Sequence, residues 1–346
     1  MPSTTPSPVP VTLPVIDLRA SLCCRDAVGA DPTALQATAA EVAAACSEHG
    51  FFYVSGHGMP QAVLDETFAL AHRFFALPEA DKARWHIDQS PIKRGFDPIG
   101  WQVLDPGMPT DLKESFYLGV DRGPDDALVR AGVPQQGPNQ WPDEARVPGF
   151  RAITTAYEQA ARALSHHIMA LIAIGLGLPA DHFEAFMQDP MPVLRLLHYP
   201  TQPAVVDPGQ IGCGAHTDWG GITLLAQDDA GGLQVQGADG RWFAAPPLPG
   251  TLVVNLGDLM QRWTNHRYRS TLHRVLNPTG TNGMAAERYS IAYFFDIDYH
   301  AVVTVLPACV DAEHPALYPP ITAGEHVAQM YTRTTAVPPA SFTAPA

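Results

Sequence analysis

The sequence of 346 residues is 46% hydrophobic and 16% charged, which is typical of a globular chain with a sizeable core. Its formal net charge of −14, without a cluster of lysine and arginine, disfavours binding to nucleic acid or to an anionic membrane surface. No run of 18 consecutive apolar residues is present, so no transmembrane helix is predicted. Five scattered cysteines without a CxxC pair, and an N-terminus without a signal-peptide pattern, predict a cytoplasmic protein.

The N-terminal part of the sequence predicts a tail followed by a mixed α/β region. Residues 1–12 are rich in proline and are predicted to be a disordered tail. The region 13–125 combines short strand patterns with helical repeats of apolar residues. Within it, residues 88–112 hold many prolines and glycines and are predicted to form a loop, and their aromatic residues suggest that this loop covers something.

The rest of the sequence predicts a helix followed by many strands. Residues 126–190 are predicted to be a linker and a long supporting helix, from about Phe150 to Gly177. Over 191–300 the pattern changes to short β-like runs separated by Gly, Pro, Asp and Asn. Strands so closely spaced, without intervening helices, predict a sandwich or barrel core, and 301–346 are predicted to be an extension and tail.

Three residues of this β region form a candidate metal site. His216 and Asp218 are two positions apart, a spacing at which strand residues project to the same side. His273 follows after 54 intervening residues and can reach the same point from a neighbouring strand. Two imidazoles and one carboxylate on one face suit a non-haem Fe²⁺ ion with open positions. A His-x-Asp pair alone is weak evidence, since histidine and aspartate are common in turns, so a second constraint is needed.

The run "RYSIAYFF" (288–295) supplies that constraint. In a strand, Arg288 and Ser290 lie on one face together with Phe294. If this face is interior, a buried guanidinium needs an anion, and its fork geometry matches a carboxylate. No acidic residue lies on that face, so the anion is predicted to be a ligand. The alternative is that Arg288 lies at a strand edge in water.

Taken together, these residues resemble the isopenicillin N synthase-like family of iron(II)- and 2-oxoglutarate-dependent oxygenases. The resemblance covers residues 13–330 and combines several stretches. These are His216-Thr217-Asp218, His273 and Arg288-Tyr289-Ser290, with "LPVIDL" (13–18), "GFFYVSGHG" (50–58), "LRLLHYP" (194–200), "LVVNLGDLMQRWTN" (252–265) and "YRSTLHRV" (268–275).

The resemblance implies an α+β fold with a double-stranded β-helix (jelly-roll) core flanked by helices. It implies that His216, Asp218 and His273 bind Fe²⁺, and that Arg288 and Ser290 hold the distal carboxylate of the co-substrate 2-oxoglutarate. The core at 191–300 then uses dioxygen to oxidise a small organic molecule by hydroxylation, desaturation or ring closure. The resemblance also implies the release of succinate and carbon dioxide.

Two more positions follow from the same resemblance. Tyr199 matches a tyrosine that helps to bind the co-substrate in many relatives. Leu197 stands where plant members often have asparagine, which removes one possible hydrogen bond to the co-substrate.

The predicted partner is a small-molecule substrate, and six residues are candidate contacts for it. Aromatic residues in such a site suit a flat or bulky small molecule, although each of them is equally compatible with ordinary packing. The candidates are Arg94, Phe96, Trp101, Phe116, Trp219 and Phe294.

Two other functions are compatible with the same residues. Some members of the family keep the Arg-x-Ser pair without using 2-oxoglutarate, and this chain would then be a 2-oxoglutarate-independent iron oxidase. Two histidines and a carboxylate also suit zinc, which predicts a jelly-roll hydrolase, isomerase or binding protein. In the zinc alternative, Arg288 and Ser290 have no assigned partner.

Overall fold

The computed structural model of the protein describes residues 12–26, 32–102, 104–105, 107–202, 209–277 and 286–334. Apart from Thr12, the predicted disordered tail lies outside the described residues, as does the chain from residue 335 onward. The described helices are α1 (Arg19–Asp26), α2 (Pro32–Glu48), α3 (Gln61–Phe75), α4 (Glu79–Lys82), α5 (Ala127–Arg130), α6 (Phe150–Gly175), α7 (Asp258–Trp263) and α8 (Ala323–Thr334). None of the described helices is long and apolar enough to span a membrane.

Fourteen strands lie in the described part of the chain, most of them in the region 191–300. They are β1 (Val15–Asp17), β2 (Phe51–Ser55), β3 (Gly95–Asp97), β4 (Glu114–Gly119), β5 (Val193–Tyr199), β6 (Cys213–His216), β7 (Ile222–Gln227), β8 (Leu233–Gln236), β9 (Trp242–Ala244), β10 (Thr251–Leu256), β11 (His273–Val275), β12 (Arg288–Phe295), β13 (Val302–Val303) and β14 (Ile321–Thr322).

Two sheets face each other and enclose a cavity. The larger has eight strands in the order β1-β2-β10-β7-β12-β5-β4-β3, and the smaller has four in the order β6-β11-β8-β9. All neighbours in both sheets are antiparallel except β1 and β2. Residues of both sheets line one cavity between them. The predicted jelly-roll core flanked by helices is therefore confirmed.

The alternation of side chains along β12 separates the cavity from the main core. Arg288, Ser290 and two further residues at even positions line the cavity. Tyr289, Ile291 and their odd-numbered neighbours are buried in the main hydrophobic cluster on the opposite face. Because strand residues alternate between faces, one strand can supply both a functional wall and a structural one.

Helices cover the outer face of the larger sheet. The long helix α6 packs against α2 and α3, and its apolar side chains at helical spacing are buried in the same cluster as the outer face of the sheet. The helix predicted from Phe150 to Gly177 ends at Gly175, and Gly177 has the left-handed φ of 76° that suits a glycine after a helix. This layer leaves the inner face of the sheet free to form the cavity.

The N-terminal region contributes strands to the same large sheet. Strand β2 pairs with β10, and β4 pairs with β5. The stretch 88–112, predicted as a loop, contains the short strand β3, which forms the sheet edge beside β4. A three-residue strand is too short to give a clear alternating pattern, which explains why the sequence alone did not reveal it.

Candidate active site

The three predicted metal ligands meet at one end of the smaller sheet. His216 ends β6 and lies directly opposite His273, the first residue of β11. Their ring centroids are 4.3 Å apart. The Oδ1 atom of Asp218 lies 3.9 Å from Nε2 of His216 and 3.7 Å from Nε2 of His273. All three ligand atoms are within 4.8 Å of one another, the one such cluster found among the described residues.

Hydrogen bonds orient both imidazoles. Nδ1 of His216 donates to the carbonyl of Gly214 at 2.7 Å, and Nδ1 of His273 donates to the carbonyl of Thr271 at 3.1 Å. A proton on each Nδ1 leaves the lone pair of each Nε2 directed at the Asp218 carboxylate, which is the tautomer that a metal ligand requires.

Two neighbours that the sequence analysis did not identify orient the carboxylate. Oδ2 of Asp218 accepts hydrogen bonds from Nδ2 of Asn255 at 2.6 Å and from Oγ1 of Thr223 at 2.5 Å. Asn255 and Thr223 are paired across β10 and β7, so the sheet register places both donors beside Asp218. Oδ1 therefore remains available to face the imidazoles. Asn255 lies in the quoted run "LVVNLG", but only the pairing of the strands reveals its partner.

The protonation states of the cluster suit a divalent cation. Burial lowers the pKa of His273 to about 4 and lowers that of His216 as well. Burial disfavours the charged form of Asp218, but the two histidines and the hydrogen bonds to Oδ2 outweigh it and lower the pKa of this carboxyl. Two neutral imidazoles and one carboxylate at neutral pH are a donor set that fits non-haem Fe²⁺.

Arg288 forms a cationic pocket in the same cavity. Its side chain is 1% exposed, and it donates from Nη1 to Oγ of Ser290 at 2.9 Å and from Nη2 to Oε1 of Gln227 at 3.0 Å. Both acceptors are uncharged, and buried Nε has no hydrogen-bond partner. Among the described residues, no carboxylate oxygen lies within 4.0 Å of this guanidinium, and the partly buried Asp228 attracts it from a greater distance. The alternative that Arg288 lies in water at a strand edge is therefore wrong.

Tyr199 and Leu197 also line this cavity from β5. The guanidinium carbon of Arg288 lies 4.8 Å from the centroid of the Tyr199 ring. Burial raises the pKa of the Tyr199 phenol far above its usual value, so the hydroxyl keeps its proton. The chain thus brings Arg288, Ser290 and Tyr199 together around one part of the cavity, next to the histidine–aspartate cluster.

Of the six candidate substrate contacts, Phe294 is the one that lines the cavity. Phe96 and Phe116 are 1% and 0% exposed and lie in the main core, where the Phe116 ring centroid is 4.9 Å from that of Phe74 and 5.0 Å from that of Phe150. They face the helical layer because β3 and β4 turn these aromatic residues away from the cavity.

The other three candidates also lie away from the cavity lining. The buried Arg94 guanidinium packs against Gly119 and donates to the carbonyl of Gln135 at 3.3 Å. Trp101 is 46% exposed, with its ring centroid 5.0 Å from that of His86. Trp219 follows Asp218 in the chain, and its carbonyl accepts a hydrogen bond from His326 of α8 at 2.9 Å.

Arg195 is a cavity residue that the sequence analysis did not identify. It is 6% exposed, lies on the same face of β5 as Tyr199, and its Nη2 bonds Oδ2 of Asp97 at 3.2 Å and Oε1 of Gln102 at 3.0 Å. Its Nε bonds Oγ of Ser115 at 2.8 Å. The alternation of "VLRLLHY" already places Arg195 on this face, which is the signal that reveals it.

Comparison with known proteins agrees with this geometry. Residues 13–144 match the family model "non-haem dioxygenase in morphine synthesis N-terminal", and residues 190–297 match the "2OG-Fe(II) oxygenase superfamily". The chain is 38% identical over 311 residues to the 2-oxoglutarate-Fe(II) type oxidoreductase hxnY of Emericella nidulans, covering 88% of this chain and 87% of that protein. The chain belongs to the 2OG-Fe(II) oxygenase superfamily.

Other relatives of this oxygenase support the same family. It is 42% identical over 267 residues to the 2-oxoglutarate-dependent dioxygenase citB of Monascus ruber, covering 75% of this chain and 79% of that protein. The crystal structure of a full-length Neurospora crassa protein in complex with alpha-KG has a TM-score of 0.82 at 32% identity, covering 93% and 96% of the two chains. The same Neurospora crassa protein with alpha-KG and thymine gives 0.81 at 31% identity, covering 93% and 97%.

The family membership identifies the chemistry of this oxygenase in general terms. It is a non-haem iron(II)- and 2-oxoglutarate-dependent enzyme that uses dioxygen and acts on a small-molecule substrate. The resemblance seen in the sequence is confirmed. The relatives favour this function over a 2-oxoglutarate-independent oxidase and over a zinc protein.

Proposed function

We propose that His216, Asp218 and His273 are the iron ligands of this oxygenase. The support is the convergence of their ligand atoms within 4.8 Å, the free Nε2 lone pairs and the ionised carboxylate. The protein orients these three groups before the ion binds, because Nδ1 of each imidazole and Oδ2 of the carboxylate already form hydrogen bonds.

The co-substrate site in this proposal is formed by Arg288, Ser290 and Tyr199. The observation that carries it is the buried guanidinium whose direct hydrogen-bond acceptors are both uncharged, with Asp228 attracting it only from a greater distance, in the same cavity as the metal ligands. A charge so deeply buried is unfavourable unless an anion neutralises it. The distal carboxylate of 2-oxoglutarate fits the arginine fork and the Ser290 hydroxyl, which lie 2.9 Å apart.

When bound, iron(II) and 2-oxoglutarate activate dioxygen for oxidation of a substrate C–H bond, with release of succinate and carbon dioxide. The residues of this chain bind and orient the reactants. Leu225, Ala292 and Phe294 line the cavity with apolar surface and exclude water. Arg288 would hold one carboxylate of the co-substrate in the cavity that the histidine–aspartate cluster also lines.

We further propose a small substrate with a flat ring and a hydrogen-bond acceptor, oxidised by hydroxylation, desaturation or ring closure. Phe294 offers the cavity an aromatic ring, and the guanidinium of Arg195, which pairs with Asp97, lines the same cavity. The related Neurospora crassa protein was solved with thymine, a molecule of this kind. A cytoplasmic location is proposed from the scattered cysteines, of which Cys23, Cys46, Cys213 and Cys309 are free thiols.

A screen of small-molecule pools for stimulated carbon dioxide release from labelled 2-oxoglutarate tests this function. The expected result is stimulation by ring compounds that carry acceptor groups, with one succinate formed per product. Oxygen consumption without succinate would instead support the 2-oxoglutarate-independent reaction. Stimulation only by acyclic compounds that lack acceptors would contradict the proposed substrate class.

A further inference from the structure

A buried ion pair lies behind the metal cluster, outside the cavity lining. Asp111 and Lys113 precede β4, their side chains are 4% and 2% exposed, and Nζ of Lys113 contacts Oδ2 of Asp111 directly. A buried carboxylate is tolerated only with a counter-charge and further hydrogen bonds. Lys113 supplies the counter-charge at Oδ2, and Oδ1 of Asp111 is left to accept a second hydrogen bond.

That second bond leads to a metal ligand. Oδ1 of Asp111 accepts a hydrogen bond from the backbone N–H of Gly214 at 2.8 Å. The carbonyl of the same glycine accepts the bond from Nδ1 of His216 at 2.7 Å. Gly214 is therefore fixed on one side by a charged acceptor, and on the other side it fixes the imidazole. A chain of two hydrogen bonds connects the Asp111 carboxylate to the His216 ring.

Close packing at Gly214 makes this connection rigid. A Cβ atom at this position would lie 2.9 Å from Cβ of Asp105 and 3.3 Å from Oδ1 of Asp111, so only glycine allows the approach. The segment that carries Asp111 is also bonded to the chain leading into β6. The N–H of Leu112 donates to the carbonyl of Ile211 at 3.1 Å.

We propose that Asp111, charge-balanced by Lys113, is a positioning residue for the iron ligand His216. This inference rests on the proposed role of His216 in binding iron. Its physical basis is that a charge-assisted bond to Gly214 holds the carbonyl that selects the His216 tautomer and sets the direction of its ring. The N-terminal region thereby participates in forming the metal centre, although it supplies none of the proposed ligands.

Metal binding to the apo-protein tests the proposal without any turnover. In the double variant Asp111→Asn/Lys113→Met the carboxylate is removed without leaving an unpaired buried lysine. Co²⁺, which accepts the same nitrogen and oxygen ligands, serves as a visible probe. We expect the dissociation constant of Co²⁺ to rise about 10- to 100-fold, which is the range typical when a residue that supports a metal ligand is replaced. We also expect the visible spectrum of bound Co²⁺ to change. The single variant Asp111→Asn, which also keeps an amide oxygen for Gly214 but leaves Lys113 without its counter-charge, is expected to show a change of the same kind.

A second buried ion pair provides the matched control. Nζ of Lys82 lies 2.5 Å from Oε2 of Glu114, with both side chains under 10% exposed, on the helical side of the sheet. The variant Lys82→Met/Glu114→Gln should lower the melting temperature but leave the Co²⁺ affinity and spectrum unchanged.

The outcomes separate this inference from the proposed function. If the Asp111 variants show wild-type Co²⁺ affinity and spectrum, the pair is only structural and the inference is overturned. If both double variants change Co²⁺ binding equally, the effect is general and the inference also fails. If the wild-type protein has no Co²⁺ site that depends on His216, the proposed function itself is wrong. Should the double variant not fold, the single variant Asp111→Asn decides by the same criteria.

Discussion

The guanidinium of Arg288 is the positively charged group of the proposed co-substrate site. Arg288 is only 1% exposed, and its guanidinium donates hydrogen bonds to two uncharged acceptors. Burial of this charge lowers the stability of the protein, and a bound dianion offsets that loss. Ser290 and Tyr199 lie beside it and add no charge. The need for an external anion therefore arises from a single side chain, and its replacement should affect the co-substrate and not the metal.

Replacement of Arg288 by alanine is the residue-scale prediction. We expect the KM for 2-oxoglutarate to rise about 10- to 100-fold, because charge-assisted hydrogen bonds are worth about 1.5 to 3 kcal/mol. Fe²⁺ affinity, measured by calorimetry without oxygen, should stay within about twofold of wild type. The variant Arg162→Ala, which removes a partly exposed ion pair with Glu158, should change neither value. Unchanged 2-oxoglutarate dependence in Arg288→Ala would refute the assignment.

At the scale of the strand, position on one face or the other decides what an aromatic residue does. Phe294 on β12 borders the cavity, whereas Phe116 on β4 is fully buried among other phenylalanines. Both are aromatic residues in short β-like runs, and the sequence gives them the same candidate role. The two sites therefore allow a direct comparison of a cavity residue with a core residue.

Alanine substitutions at Phe116 and Phe294 should differ in which property they change, the free energy of unfolding or the catalytic efficiency. Phe116→Ala should lower the free energy of unfolding by about 3 to 5 kcal/mol through the cavity that it leaves in the core. Phe294→Ala should lower it much less, but should reduce kcat/KM for the substrate at least about tenfold while the KM for 2-oxoglutarate stays unchanged. Urea denaturation and steady-state kinetics measure the two effects. Equal losses of stability in both variants would show that Phe294 is a core residue.

The same contrast explains what the sequence could and could not predict. The alternation within "RYSIAYFF" correctly predicted that Arg288 and Ser290 share one face of β12, because the pattern is local. The face of β4 that meets the helices depends on pairing with β5, nearly 80 residues later in the chain, and on where α3 and α6 pack. Asn255 and Thr223 remained unidentified for the same reason, since only the pairing of β10 with β7 places them at Asp218.

At the scale of the whole molecule, one buried carboxyl should make stability depend on pH. Asp296 directly follows β12, and its Oδ1 accepts a hydrogen bond from the N–H of Gly221 at 3.2 Å. Burial raises its pKa from 3.8 to about 7. The folded protein therefore favours the protonated form, so this group's contribution to stability is complete below about pH 4 and is lost as the pH rises through 7.

The variant Asp296→Asn should remove this dependence. The full pKa shift corresponds to about 4 kcal/mol, and partial exposure and the chosen pH range reduce the measurable part to roughly 1 to 2 kcal/mol. Between pH 5.5 and pH 8, the free energy of unfolding of the wild type should fall by this amount relative to the variant. Urea denaturation at both pH values gives the difference. Parallel pH profiles for the two proteins would contradict the prediction.

The most direct test of the whole account is an anaerobic calorimetric titration of the metal-free protein with Fe²⁺. We expect one equivalent to bind to the wild type and to the variant His166→Ala, which lacks a histidine on α6 that hydrogen-bonds Glu184. We expect no equivalent to bind to His216→Ala or to His273→Ala. Retention of one Fe²⁺ with wild-type affinity in either of the last two variants would contradict it.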